Sequence, residues 1–229
     1  MQAVILAGGK GERLLPLTNG IPKPMVLIND KPYLEYQIEF LKKQGITDIV
    51  LLIGYLKEKI MDYFGDGSRF GVSICYSIEQ ELLGTGGALK NAEHLLRDVF
   101  FVIYGDSFLP IELSDVWELF LLFQKKSLIV VYTNEEDTSV RNNVSLDDDN
   151  AVISYEKNSP RQLDYVEAGV LMLQKEVLEM IPDNAKVSLE EEIFPKLIKK
   201  QQLIAFITDQ RFYDIGTPER LEKIKEVLK

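Results

Sequence analysis

Four apolar residues, Ala3-Val4-Ile5-Leu6, lead straight into Ala7-Gly8-Gly9-Lys10-Gly11. A short apolar run closed by glycines reads as a buried strand ending in a loop. The pattern returns at Asp48–Ile53, which ends at Gly54, and at 99–104, which ends at Gly105. Between these runs the spacing turns helical. Residues 33–44 place Leu34, Ile38 and Leu41 on one face, with Gly45 as the C-cap. Helices are also expected near 56–64 and 86–96, and a strand near 72–77. This alternation points to the α/β class: a mostly parallel sheet covered by helices on both faces. In such sheets ligands bind beyond the carboxyl ends of the strands, so the loops after Leu6 and Tyr104 matter most.

The second half is less regular. A helix near 114–126 and a strand at 127–132 lead to two acidic stretches, Glu135-Glu136-Asp137 and Asp147-Asp148-Asp149. They read as a solvated loop and a hairpin tip between strands at 143–147 and 151–155. A strand at 165–173, helices near 174–180 and 188–200, strands near 203–207 and 211–214, and a helix from about 217 complete the chain. One domain is expected over 1–229, with a first half to residue 135 and a second half, 136–229, closing over it.

Charge and composition narrow the function. The chain carries 26 Lys+Arg against 36 Asp+Glu, a net charge of −10. Such a surface is a poor binder of nucleic acid or anionic membrane. No run of about 18 apolar residues is present to span a bilayer. The N-terminus lacks the charged-then-apolar order of a signal peptide. Cys75 is the single cysteine, which allows no internal disulfide and fits a reducing cytoplasm. His94 is the single histidine, which argues against His-rich metal sites and a Ser-His-Asp hydrolase.

The chemistry concentrates near the N-terminus. Gly8, Gly9 and Gly11 surround Lys10, with Arg13 two residues on. Glycines let the backbone approach a phosphate chain and turn its N–H groups toward it. A dinucleotide fingerprint would need glycine or alanine where Leu14 stands, which removes an NAD(P)-dependent oxidoreductase. A Walker A loop would need Ser or Thr after Lys10, where Gly11 stands. In Pro22-Lys23-Pro24 two prolines bracket one lysine, so Lys23 is expected in a stiff, extended segment. Residues 1–31 carry a net charge of +2 within this acidic chain, which suits a small anionic ligand held at one place. Asp106 follows the strand at 99–104, and Asp214 ends the last expected strand.

Together these residues carry a resemblance. The string G-x-G-x-R-L-x-P-L-T from Gly9, followed by P-K-P, resembles the signature of sugar-phosphate nucleotidyltransferases, also called nucleotide-sugar pyrophosphorylases. Glu79 with Leu83-Gly84-Thr85-Gly86-Gly87-Ala88, Tyr104-Gly105-Asp106, Tyr155-Glu156-Lys157, Glu167-Ala168-Gly169 and Asp214-Ile215-Gly216-Thr217-Pro218 extend it over nearly the whole chain. The resemblance implies a Rossmann-like three-layer α/β/α sandwich with a mostly parallel mixed sheet. It implies transfer of a nucleoside monophosphate from an NTP to a sugar 1-phosphate, with release of pyrophosphate and use of Mg²⁺. It assigns catalysis to Arg13 and Lys23 and the metal to Asp106 and Asp214. The nucleotide falls to Leu6, Ala7, Gly8, Gly9, Gly11, Glu79, Gly84, Thr85 and Gly86. The sugar phosphate falls to Asp106, Asn143, Lys157, Glu167 and Gly169.

The resemblance places Glu79 near the base edge. A carboxylate only accepts hydrogen bonds, and guanine offers two adjacent donors where uracil offers one. This favours GTP, with UTP second. Residues 79–93 are most similar to heptose 1-phosphate and mannose 1-phosphate guanylyltransferases, which implies a GDP-heptose or GDP-mannose product for cell-surface glycans. A uridylyltransferase acting on MurNAc 1-phosphate, or a catalytically silent regulatory relative, stays open as an alternative. A homodimer is expected only by analogy. Cys75 is expected in the core, His94 at or near the surface, and Trp117, Phe120 and Phe123 on one buried helix face.

Overall fold

The computed structural model describes residues 1–229 except Pro16, Asp137, Asn158, Ser159, Lys229 and the side chain of Arg13. Its strands and helices follow in order. They are β1 (Gln2–Leu6), β2 (Leu27–Ile28), β3 (Lys31–Pro32), α1 (Tyr33–Lys43), β4 (Asp48–Ile53), α2 (Lys57–Phe64), β5 (Ser73–Ile78) and α3 (Gly84–Asn91). Then come β6 (Val99–Tyr104), β7 (Ser107–Phe108), α4 (Leu113–Phe123), β8 (Ser127–Tyr132), β9 (Val144–Leu146) and β10 (Val152–Tyr155). The last are β11 (Val166–Gln174), α5 (Phe194–Lys199), β12 (Leu203–Thr208), β13 (Tyr213–Asp214) and α6 (Pro218–Val227).

A seven-stranded sheet in the order β12-β8-β11-β6-β1-β4-β5 forms the centre. β1 runs parallel to β4 and β6, and β4 parallel to β5. Their carboxyl ends therefore share one edge. β11 is antiparallel to both β6 and β8, so its first residues, Val166-Glu167-Ala168, reach that same edge. The chain beyond residue 136 thus supplies β11 between strands of the first half, as well as β12 at the border.

Alternation along the strands builds two cores. Ala3, Ile5, Ile49, Leu51, Phe101 and Ile103 face α1, α2 and α4. Val4, Val50, Leu52, Phe100 and Val102 face α3 and α5. The period of two sends successive side chains to opposite faces, and helices on both sides keep both faces apolar. Trp117, Phe120 and Phe123 pack into the first core. A third cluster joins Leu14, Ile28, Tyr33, Phe108 and Ile215 to Leu221 and Ile224 of α6. It pins the N-terminal loop to the last helix.

Several local expectations change. The helix expected at 86–96 is α3 followed by a 3₁₀ turn, Glu93–Leu95; the one at 174–180 is 3₁₀ throughout. The helix expected at 188–200 opens as a π turn, Leu189–Ile193, before α5. Cys75 is exposed rather than core. β5 borders the sheet, and α3 meets it at Ser77, whose Oγ accepts from Asn91 Nδ2 at 2.9 Å.

Candidate active site

At the carboxyl edge the strand ends are tied together before any side chain acts. Ala7 N–H donates to the Leu52 carbonyl at 2.8 Å, and Gly105 N–H to the Leu6 carbonyl at 3.0 Å. A Cβ on Gly105 would lie 2.4 Å from that carbonyl oxygen, so this crossing requires glycine. Gln37 on α1 is buried, and its Nε2 donates to the Tyr104 and Ser107 carbonyls at 2.9 and 2.7 Å. Ile215 N–H donates to the Asp106 carbonyl at 3.0 Å. The turn carrying Asp106 is thereby held from three sides.

The glycine loop opens above this turn. Gly9 and Lys10 are exposed, and a Cβ on Gly9 would meet nothing within 4 Å. Gly11 adopts φ +67°, the left-handed region, and a Cβ there would lie 2.7 Å from Lys23 Cβ. The glycine is needed because the Lys23 segment passes directly beside it. Thr18 Oγ1 donates to the Gly11 carbonyl at 3.1 Å and fixes the loop's far end. The Arg13 side chain lies outside the described residues, so its expected role is not located.

Lys23 opens a 3₁₀ turn, Lys23–Met25, rather than an extended segment. Pro24 has no N–H to lose at a helix start, and its fixed φ suits the turn. Lys23 is buried, and its Nζ donates to Asp106 Oδ2 at 2.6 Å. The two lie where adjoining chambers meet. One, about 440 Å³, is bordered by Gly9, Lys10, Gly11 and Leu14. The other, about 540 Å³, is bordered by Leu6, Ala7, Gly8, Glu79, Gly84, Thr85, Tyr104, Lys157, Lys186 and Glu190. Gly9, Lys23, Leu82 and Asp106 line both.

Glu79 borders the larger chamber, just past the end of β5. Its Oε2 accepts from Leu83 N–H at 2.8 Å. Burial pushes its carboxyl above the ordinary value, opposed by that N–H. A Cβ on Gly8 would fall 2.5 Å from Glu79 Oε1, so the glycine makes room for the carboxylate.

The second glycine segment is packed rather than open. Gly86 and Gly87 N–H both donate to the Val187 carbonyl, at 2.9 and 3.2 Å. Gly84 has φ +73°, and a Cβ would lie 2.6 Å from the Val187 oxygen. Thr85 Oγ1 donates to Glu190 Oε2 at 2.7 Å and accepts from Leu189 N–H at 2.8 Å. Gly84 and Thr85 border the chamber and Gly86 does not. The Gly86 N–H, expected near the nucleotide, instead donates to the Val187 carbonyl.

Glu167, Asn143 and Gly169 form a linked cluster at the start of β11. Asn143 Oδ1 accepts from Glu167 N–H at 2.8 Å, and Glu167 Oε1 accepts from Gly169 N–H at 2.7 Å. The Gly169 N–H is thereby engaged within the cluster. Burial raises the Glu167 carboxyl to about 8, with the Gly169 N–H and Lys157 opposing the rise and Glu190 and Asp106 adding to it.

Asp214 pairs across β13–β7 with Ser107, the neighbour of Asp106. Its Oδ1 accepts from Gly216 N–H at 2.6 Å, and its Oδ2 lies 3.1 Å from Arg220 Nη1. Burial lifts the Tyr33 phenol, and the charges of Asp106 and Asp214 lift it further, so both carboxylates act on one buried ring. Among the described residues no group of three or more His, Cys, Asp or Glu forms a metal cage. Asp106 lines both chambers, whereas Asp214 lines a small pocket with Arg211 and Arg220; an ion held by one or two carboxylates draws its remaining ligands from phosphate and water, the habit of Mg²⁺.

Residues 2–229 match the family described as nucleotidyl transferase. The chain belongs to that family. This nucleotidyl transferase is 38% identical to D-glycero-alpha-D-manno-heptose 1-phosphate guanylyltransferase of Campylobacter jejuni, over 96% of each chain. It is 34% identical to the protein of that name in Aneurinibacillus thermoaerophilus, over 100% of this chain and 98% of the relative. The crystal structure of HddC from Yersinia pseudotuberculosis superposes with TM-score 0.88 at 32% identity, covering 100% of this chain and 99% of that one. A second HddC structure, complexed with GMP-PN, gives TM-score 0.85.

Two charged residues of this nucleotidyl transferase's cavity, and Leu82 beside them, were not singled out in the sequence. Lys186 lay between two expected elements. Glu190 sat in a run of three glutamates, which reads as a solvated helix start. The π turn sets Glu190 apart: it is 4% exposed, while Glu191 and Glu192 are exposed. The one available signal was Ser188, a helix-capping residue immediately before the run.

Proposed function

We propose that the protein transfers GMP from GTP to a sugar 1-phosphate, releasing pyrophosphate and forming a GDP-sugar of the heptose or mannose type. One observation carries this reading. Two adjoining chambers set the Lys23–Asp106 pair, 2.6 Å apart, between an open glycine loop and a buried carboxylate, Glu79. A triphosphate lies along the loop, and the base reaches Glu79. With Oε2 engaged by Leu83 N–H, Glu79 offers Oε1 and the remaining lone pairs of its carboxylate to the guanine donors. The names of the most similar relatives support the choice of guanine and of a heptose or related sugar.

The reaction is an in-line displacement. A phosphate oxygen of the sugar 1-phosphate forms a bond to the α-phosphorus of GTP as the bond to the pyrophosphate oxygen breaks. The nucleophile arrives ionised, so no general base is required. The protein positions the two anions and stabilises the developing charge. Lys23 meets the α-phosphate, Arg13 the leaving pyrophosphate, and Lys157 the sugar phosphate. Mg²⁺ would be held by Asp106 and Asp214 and would neutralise phosphate oxygens. The bond from Lys23 to Asp106, at 2.6 Å, holds the ammonium at the place where the phosphates would pass. The product class suits a cytoplasmic precursor of lipopolysaccharide or capsule.

The test crosses the four NTPs with a panel of sugar 1-phosphates in Mg²⁺, following pyrophosphate and the sugar nucleotide. GTP with heptose or mannose 1-phosphate is expected to give the highest kcat/KM. No pyrophosphate from any pair would make the chain a silent relative, and a preference for UTP with MurNAc 1-phosphate would make it a uridylyltransferase.

A further inference from the structure

Glu190 brings a negative charge into a cavity that receives two anions. Its Oε1 accepts from Tyr104 OH at 2.5 Å, and its Oε2 accepts from Thr85 Oγ1 and Ser188 Oγ, each at 2.7 Å. The two hydroxyls on Oε2 are each held by a second partner. Thr85 Oγ1 already accepts from Leu189 N–H at 2.8 Å, and Ser188 Oγ from Glu191 N–H at 3.1 Å. Both hydroxyls direct their own protons at Glu190. A neutral acid or an amide would present a proton of its own on one side, so only a carboxylate receives all three donors. Burial opposes the charge, but the bonds from Thr85, Tyr104 and Ser188, with the nearby Lys157 charge, hold the carboxyl below its ordinary value.

The three partners come from three walls. Thr85 lies in the first turn of α3, Tyr104 ends β6 before the Asp106 turn, and Ser188 caps the π turn. Glu190 shares its chamber with Lys157 and Lys186. With both oxygens engaged by protein hydroxyls, it binds the walls together rather than a ligand.

We propose that Glu190 is a positioning residue for the sugar 1-phosphate: by clamping Thr85 and Tyr104 to the turn at Ser188, it sets the cavity end bordered by Lys157 and Lys186. This rests on the reading of the cavity given above. Loss of the clamp acts on one substrate. KM for the sugar 1-phosphate rises, while kcat and KM for GTP hold.

The test is steady-state kinetics of Glu190→Gln, Ser188→Ala, Ser188→Thr and the Glu190→Gln/Ser188→Ala double variant. The sugar 1-phosphate is the one that the wild type turns over best, and its binding is measured in parallel by calorimetry. Glu190→Gln and Ser188→Ala are expected to raise its KM at least tenfold, with kcat and the GTP KM within threefold of wild type. Ser188→Thr, which keeps the hydroxyl, recovers the wild-type KM, and the double variant is no worse than the worse single one. An unchanged KM overturns the proposal. So does a matched loss in kcat and both KM values that tracks a fall in Tm, which marks a purely structural role. Should Glu190→Gln fail to fold, the Ser188→Ala and Ser188→Thr pair decides. A wild type that neither binds nor turns over any sugar 1-phosphate sinks the functional reading, and this one with it.

Discussion

Two glycine-rich segments border the same cavity, and in the sequence they look alike. In the first, Gly9 would meet nothing within 4 Å if it carried a Cβ. In the second, a Cβ on Gly87 would fall 2.3 Å from the Ala185 carbonyl oxygen. The first wall keeps backbone clear for a ligand. The second uses its lack of side chains to bring α3 against residues 185–187, with its N–H groups closed onto Val187. Glycine content alone thus does not mark a phosphate loop; what the bare backbone faces does.

The largest effect is expected at Asp106, on the open wall. Asp106→Asn keeps the shape and loses the charge that faces Lys23, so kcat should fall about 10²–10³-fold with little change in Tm. Near-normal kinetics at saturating Mg²⁺ would take the residue out of the site. On the packed wall Gly87→Ala is a stability variant. Its methyl meets backbone that cannot swing aside, and overpacking of this kind costs about 1–3 kcal/mol, read as a lower midpoint in urea. An unchanged midpoint would mean that the packed wall yields easily and would erase the contrast.

Glu167, buried near the site, feels the charges of both Glu190 and Asp106. Its carboxyl is raised from an ordinary 4.5 to about 8, so the folded protein binds this proton more tightly than the unfolded chain. Stability is therefore present at low pH and falls as pH rises across that window. Glu167→Gln should flatten this slope, a difference on the order of a few kcal/mol by pH 8. Parallel stability curves for wild type and variant would refute the raised value. The smaller effect is at Glu79. Glu79→Gln turns an acceptor into a mixed group and should reduce the GTP over UTP preference about tenfold, a change near 1.4 kcal/mol. An unchanged preference would place base reading elsewhere.

Much of this was legible because the strand ends were. Apolar runs closed by glycine located β1, β4 and β6 and the loops beyond them, and so brought Gly8, Gly9 and Asp106 to one cavity, while Glu79, just past β5, was marked by the resemblance alone. Strand direction was not legible. β11 has the same apolar run as a parallel strand, and only its place between β6 and β8 shows it to be antiparallel. Lys23 was assigned to extended chain because proline stiffness was weighed without its fitness for a helix start. Gly169 could be recognised as a special glycine. That its N–H turns back to Glu167 depends on the bulge between Glu167 and Leu171, which no periodicity reveals. Glu190 was hidden by its neighbours, since one wide turn decides which of three glutamates faces inward.

The comparison of the two walls reduces to Gly9→Ala. A methyl at this position has free space in the protein alone, so Tm should match wild type within about 1 °C, the scale of a surface change of a few tenths of a kcal/mol. It would nevertheless stand where a triphosphate must pass, so kcat/KM for GTP should fall at least about tenfold, near 1.4 kcal/mol. Wild-type kcat/KM in a stable Gly9→Ala protein would contradict the account, because the open glycine loop would then not be where the nucleotide binds.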